Sequence, residues 1–165
     1  MKTLFLGGIK SGKSKNAESY TLALSKKKPY YLATTEFFDE EMQEKVNLHK
    51  LQRKENFYTI EEALALTKTI TQLNNEFVLV ECISMWLNNM LYHKYTHQQI
   101  LQEIDILCKL PNNLVFVLND VSCSVVSDNS LVREFVNLSG IISQKLAKSC
   151  DEVYHVTAGI SVKIK

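Results

Sequence analysis

Short apolar runs alternate along this chain with stretches whose apolar positions recur every three or four residues. Runs at 2–6, 30–33, 77–80, 114–118 and 152–156 predict strands. The last three are almost continuously apolar, as parallel strands covered on both faces require. Helical spacing predicts helices over 15–25, 38–55, 60–73, 84–92, 96–109 and 129–149. Strand and helix alternate, which predicts an α/β three-layer domain with a mainly parallel central sheet. Pro111 before Asn112-Asn113 marks a turn into a strand, and the segment 158–165 offers a hairpin strand. With no repeat, low-complexity tract or linker, the whole chain, 1–165, reads as one domain.

The stretch Gly7-Gly8-Ile9-Lys10-Ser11-Gly12-Lys13-Ser14 fits the phosphate-binding pattern G-x-x-x-x-G-K-[ST]. It follows the first predicted strand and opens the first predicted helix, the context that gives the motif meaning and makes the domain P-loop NTPase-like. Glycines let backbone N–H groups face phosphate oxygens, and the helix N-terminus adds partial positive charge. Lys13 is expected at the β- and γ-phosphates and Ser14 on Mg²⁺. Glu81 ends the run Phe77-Val78-Leu79-Val80, where a carboxylate of a neighbouring strand helps hold the metal.

Over 38–55, Phe38, Met42, Val46, His49 and Arg53 fall near one helical face. His49 beside Lys50 and Arg53 suits a phosphate-facing role, since neutral imidazole is a nucleophile toward phosphorus and cations offset phosphate charge. The spacing alone leaves both a structural and a catalytic His49 open. His93 and His97, spaced i, i+4, have no evident third ligand and read as polar surface at a helix–helix junction; His155 reads as structural. Met85 and Trp86 read as core or subunit-interface packing.

Composition narrows the classes. A length of 165 residues supports a real core, and the 45% apolar and 22% charged content is that of a globular protein. A net charge of +1 points away from nucleic acid and from anionic membrane surfaces. The basic run Lys26-Lys27-Lys28 reads as a helix end. Cys82, Cys108, Cys123 and Cys150 show no C-x-x-C spacing and read as free thiols of a cytoplasmic protein. The first strand starts at once, with no expected signal peptide, and no apolar run approaches the ~20 residues of a membrane span.

Taken together, these residues make the chain similar to the bifunctional adenosylcobinamide kinase / adenosylcobinamide-phosphate guanylyltransferase family of cobalamin biosynthesis. The resemblance rests on the loop 7–14 with Ala17-Glu18, on Tyr31-Leu32-Ala33-Thr34-Thr35 leading to Asp39-Glu40-Glu41-Met42, His49-Lys50 and Arg53, on Leu79-Val80-Glu81-Cys82-Ile83 with Asn88 to Leu91, and on the tail from Asp151 to Lys165. It implies two reactions at one P-loop. A nucleoside triphosphate first phosphorylates the aminopropanol hydroxyl of cobinamide. His49 then attacks the α-phosphorus of GTP, and the guanylyl-histidine passes GMP to cobinamide phosphate. It also implies GTP, ATP and Mg²⁺ as cofactors, a corrinoid substrate and a homotrimer. Its guanine-nucleotide contacts would be Ala33, Thr34, Thr35, Lys50, Leu51, Gln52, Arg53, Glu61 and Glu81. The chain departs from the family pattern at Lys10, where arginine is usual, and over 119–127, which reads Asn119-Asp120-Val121-Ser122-Cys123-Ser124-Val125-Val126-Ser127 and lacks two glycines and a proline of the family. The other readings still open are a single-activity P-loop small-molecule kinase and a GTP-binding regulator without turnover.

Overall fold

The computed structural model describes residues 1–36, 55–73, 76–121 and 126–165. Residues 38–54 of the helix predicted at 38–55, with His49 and Lys50 to Arg53, lie outside the described residues, as do Ser122 to Val125. Strands β1 (Lys2–Gly7), β2 (Tyr30–Ala33), β3 (Tyr58–Glu61), β4 (Phe77–Glu81), β5 (Asn113–Asn119), β6 (Glu152–Thr157) and β7 (Ile160–Lys163) form one sheet in the order β3-β2-β4-β5-β1-β6-β7. Every pairing is parallel except the terminal hairpin β6–β7, which is antiparallel. The helices are α1 (Lys13–Leu24), α2 (Leu66–Thr71), α3 (Ile83–Tyr92), α4 (His97–Lys109) and α5 (Ser130–Ser149).

Alternation along each strand explains the continuous apolar runs. In β4 and β5, Val78, Val80, Leu114, Phe116 and Leu118 join Leu4 and Leu32 in a core shared with Trp86, Ile100, Ile104 and Leu146 of α3 to α5. The intervening Leu79, Val115 and Val117 point the other way, with Phe5, Tyr31 and Val156, against Ala17 of α1. Both faces of the sheet are buried, so neither side of these strands can be polar. Trp86 is fully buried within the chain and donates its indole N–H to the Leu64 carbonyl at 2.9 Å. Of the two readings, core or subunit-interface packing, it is therefore core.

The helix expected over 60–73 is also corrected. Residues Tyr58–Glu61 form β3 on the sheet edge, in parallel register with β2, and the helix is only Leu66–Thr71. Tyr58, Thr59 and Ile60 are aromatic or β-branched, and pairing with β2 overrides the weak helical spacing. Glu62 orders the turn before α2 by accepting the N–H groups of Leu64 and Ala65 at 2.9 and 2.8 Å. Burial alone would raise its carboxyl, but those bonds, the Thr69 hydroxyl and Lys68 together hold it below its ordinary value. The remaining helices start where the sequence suggests. Thr96 and Gln99 make a reciprocal capping box for α4, and Asn129 accepts from Leu131 and Val132 at the head of α5.

Candidate functional site

The parallel strands put their carboxyl ends on one edge, where open α/β sheets bind ligands. Register places Ala33 opposite both Glu61 and Glu81, so the ends of β3, β2 and β4 stand abreast. Gly7 ends β1 opposite Asn119 of β5 and Val156 of β6. The glycine-rich loop leaves the sheet at that point and feeds α1.

Two glycines are needed for the loop's path. A methyl group on Gly7 would sit 2.4 Å from the Val156 carbonyl oxygen and 2.6 Å from Ser11 Oγ. Gly12, at φ 95°, caps α1 in the left-handed region, and a methyl group there would lie 3.0 Å from the Gly159 Cα. Ser11 donates its N–H to the Gly8 carbonyl at 3.2 Å, and Lys10 adopts φ 56°, which tightens the turn. Ile9 is 80% exposed at the tip. No side chain caps the first turn of α1, so its N–H groups suit an anion at the helix head.

Lys13 is 7% exposed, and its ammonium donates to the Gly8 carbonyl at 3.2 Å, which holds the charge over the loop. Ser14 donates its hydroxyl to Glu81 Oε1 at 2.7 Å. A hydroxyl and a carboxylate in contact are hard oxygen donors that fit Mg²⁺, a cation that takes one or two protein oxygens and completes its shell from phosphate and water. Among the described residues there is no group of three or more His, Cys, Asp or Glu able to hold a metal by themselves.

Sequence reasoning missed two supports of this site. The first is the β6–β7 turn. Gly159 donates its N–H to the Ser11 carbonyl at 2.7 Å, while Asn16 Nδ2 donates to the carbonyls of Gly12 at 2.9 Å and Gly159 at 3.2 Å. The terminal hairpin thus braces the loop from behind. Its own anchor is Glu152, whose carboxylate accepts from Lys163, Tyr20 and Tyr154, with Tyr20 and Tyr154 also packed against Phe5. These bonds, Lys163 first, hold the Glu152 carboxyl down to about 2, and burial with the Glu152 bond pushes Tyr20 up to about 12. The second support is Thr34, fully buried, whose hydroxyl donates to the Cys82 carbonyl and accepts the Cys82 N–H, both at 2.8 Å. Asn89, also fully buried, donates to the Thr34 carbonyl at 2.7 Å. A polar residue deep in an apolar helix face was the available signal for Asn89.

Other candidates separate from this edge. His93 ends α3 and pairs with Glu36 at 3.0 Å, whereas His97 opens α4 and pairs with Glu134 at 2.6 Å, so the two histidines serve different surface pairs. Burial, then the Glu81 charge, pushes the Cys82 thiol up to about 11, and burial chiefly pushes Cys150 up to about 12. Neither is a thiolate nucleophile at neutral pH. No helix among the described residues is long and apolar enough to cross a membrane.

Known proteins share this architecture and sequence. Residues 3–164 match the family described as cobinamide kinase / cobinamide phosphate guanyltransferase. The chain is 33% identical, over 183 aligned positions and the full length of both proteins, to the bifunctional adenosylcobalamin biosynthesis protein CobU of Escherichia coli. It is 32% identical to the bifunctional adenosylcobalamin biosynthesis protein CobP of Pseudomonas aeruginosa, with 100% of this chain and 98% of that protein covered. Among solved structures, a KaiC-like protein from Pyrococcus horikoshii aligns over 93% of this chain and 69% of its own, at TM-score 0.52 and 12% identity. The flagellar accessory protein FlaH of Methanocaldococcus jannaschii aligns over 99% of this chain and 77% of its own, at TM-score 0.52 and 10% identity. At such identities the structural likeness speaks for the fold alone.

Proposed function

Because this chain belongs to the cobinamide kinase / cobinamide phosphate guanyltransferase family, we propose that it phosphorylates adenosylcobinamide with a nucleoside triphosphate and then joins GMP from GTP to that phosphate, giving adenosyl-GDP-cobinamide. The observation that carries the reading is the Ser14–Glu81 contact beside Lys13 at the carboxyl edge of the sheet, in a chain that matches bifunctional enzymes along its whole length.

In the first reaction the acceptor hydroxyl oxygen attacks the γ-phosphorus, the β–γ bridging bond breaks, and the nucleoside diphosphate and the hydroxyl proton leave. Lys13 and the N–H groups at the head of α1 balance the negative charge of the transferring group. Ser14 and Glu81 would hold Mg²⁺, which when bound would add charge neutralisation for the phosphates. In the second reaction a ring nitrogen of His49 attacks the α-phosphorus of GTP, the α–β bond breaks, and pyrophosphate leaves. An oxygen of cobinamide phosphate then attacks the same phosphorus, the P–N bond breaks, and His49 is restored. The covalent step divides one difficult displacement into two. Ala33, Thr35 and Glu61 at the strand ends, with Lys50, Leu51, Gln52 and Arg53, form the guanine-nucleotide contacts of this proposal, while Thr34, fully buried with its hydroxyl, N–H and carbonyl all paired, supports them from behind rather than touching the nucleotide. GTP and ATP are its nucleotides, and the enzyme acts as a cytoplasmic homotrimer, the assembly that the family resemblance implies.

Intact-mass measurement after incubation with Mg²⁺ and GTP tests the second reaction, at neutral to mildly alkaline pH because a phosphoramidate is acid-labile. The parent is expected to gain one GMP and His49→Ala none. No adduct on a parent that still binds GTP overturns the guanylyl transfer.

A further inference from the structure

A second concavity lies where three helices of one face meet. The last turns of α3, the turn after it and the first turns of α4 and α5 enclose a groove of about 650 Å³, within the range of small-molecule and cofactor sites. Leu91, Tyr92, Tyr95, Leu131 and Phe135 give it apolar and aromatic walls, and Tyr92 and Leu131 are 64% and 68% exposed. Asn88, Thr96 and the His97–Glu134 pair add hydrogen-bonding groups. The lining holds one lysine, Lys94, and one carboxylate, Glu134, too little positive charge for a second polyphosphate.

A short path joins this groove to the phosphate site. Asn89, next to Asn88, donates to the Thr34 carbonyl at 2.7 Å. The Thr34 N–H donates to the Glu81 carbonyl at 2.9 Å, and the Glu81 carboxylate accepts from Ser14 at 2.7 Å. A second link is the His93–Glu36 pair, three residues beyond the end of β2. One wall of the groove is thus fixed to the residues that hold the P-loop.

We propose that this groove seats the corrin macrocycle of the cobinamide acceptor and leaves its hydroxyl-bearing arm to reach the P-loop. This rests on the function proposed above and adds where the acceptor binds. A corrin is a large, flat ring with apolar faces and a periphery of carboxamides. Its faces match the aromatic and aliphatic walls, and its amides match Asn88, Thr96 and Glu134. The kinase step requires the ring to dock close to the nucleotide, and Asn89, next to the groove-lining Asn88, is tied through Thr34 to Glu81 of the phosphate site.

Calorimetric titration of the full-length protein with cobinamide, with Mg²⁺ and a non-hydrolysable GTP analogue present, tests the proposal. Leu131→Glu and Tyr92→Ser, both at exposed positions, are made singly and together, with Ile106→Glu, 46% exposed on α4, as a control. The double variant is expected to weaken cobinamide binding at least tenfold and to raise its KM in the kinase assay with kcat held within threefold. Its affinity for the GTP analogue and its oligomeric state by light scattering should equal those of the parent, and Ile106→Glu should change nothing. Unaltered cobinamide affinity in the double variant overturns the proposal. A loss that accompanies a changed oligomeric state also overturns it and makes the groove an interface between copies. A parent that binds no cobinamide sinks the function itself, an outcome visible before any variant is compared.

Discussion

Replacing Gly7 by alanine tests whether the P-loop is held by contact with its own sheet. The new methyl group would meet the Val156 carbonyl oxygen at 2.4 Å and Ser11 Oγ at 2.6 Å. The serine hydroxyl can rotate away. The carbonyl cannot, because it belongs to β6, which pairs with β1 in register. The strain falls on the loop, at the typical ~1–3 kcal/mol of an overpacked interior. If the loop opens to relieve it, nucleotide affinity falls by about 5- to 150-fold, and thermal stability falls by about 2–4 °C for each kcal/mol. Gly8→Ala is the comparison: a methyl group there finds no atom of the chain within 4 Å, so its loss of affinity and stability should be clearly smaller than that of Gly7→Ala. Titration with a fluorescent GTP analogue, alongside thermal unfolding, reads both effects. Equal loss in the two variants, or full affinity in Gly7→Ala, would refute the steric argument.

Two further outcomes follow from the brace behind the loop. Asn16→Ala removes two hydrogen bonds, but the Gly12 carbonyl keeps the Asn16 backbone N–H at 3.0 Å, so the cost should be about 1 kcal/mol, seen as roughly fivefold weaker nucleotide binding; no change would remove Asn16 from the support. Glu152 titrates in the folded state near 2, below its ordinary value of 4.5, so its stabilising effect is complete above pH 4.5 and is lost as pH falls toward 2. Acid unfolding of Glu152→Gln should therefore differ in slope from the parent in that window and converge with it below, and parallel curves would exclude the network as the cause.

Much of this architecture was legible in the sequence for one reason: burial on both faces of a parallel sheet leaves no room for polar residues in β4 and β5. The P-loop was legible because its glycines answer local demands that few other sequences meet. The strand at 58–61 was not legible, and 60–61 read as helix, because an edge strand is half exposed and its Tyr-Thr-Ile pattern satisfies a strand and a helix start about equally until β2 is present to pair with it. For Trp86 the sequence left core and subunit interface both open because aromatic content says nothing of direction; full burial and the Leu64 carbonyl decide for core. The roles of Asn16, Gly159 and Thr34 depend on partners 143, 148 and 48 residues away, and no local pattern encodes such distances. The segment with His49 lies outside the described residues, and its chemistry stands as the proposal above.

The brace also bears on how the protein is made. The phosphate loop lies within the first fifteen residues, yet its backing, Val156 and Gly159, comes from the last ten. Such long-range closure is entropically late in folding. During synthesis from the N-terminus, β1 and α1 leave the ribosome long before the hairpin that fixes the turn between them. A nascent chain therefore carries the nucleotide motif without its finished geometry, and competence for phosphate arrives only when the tail has docked. Translation stalled before residue 156 should yield chains with the full motif and little affinity for nucleotide.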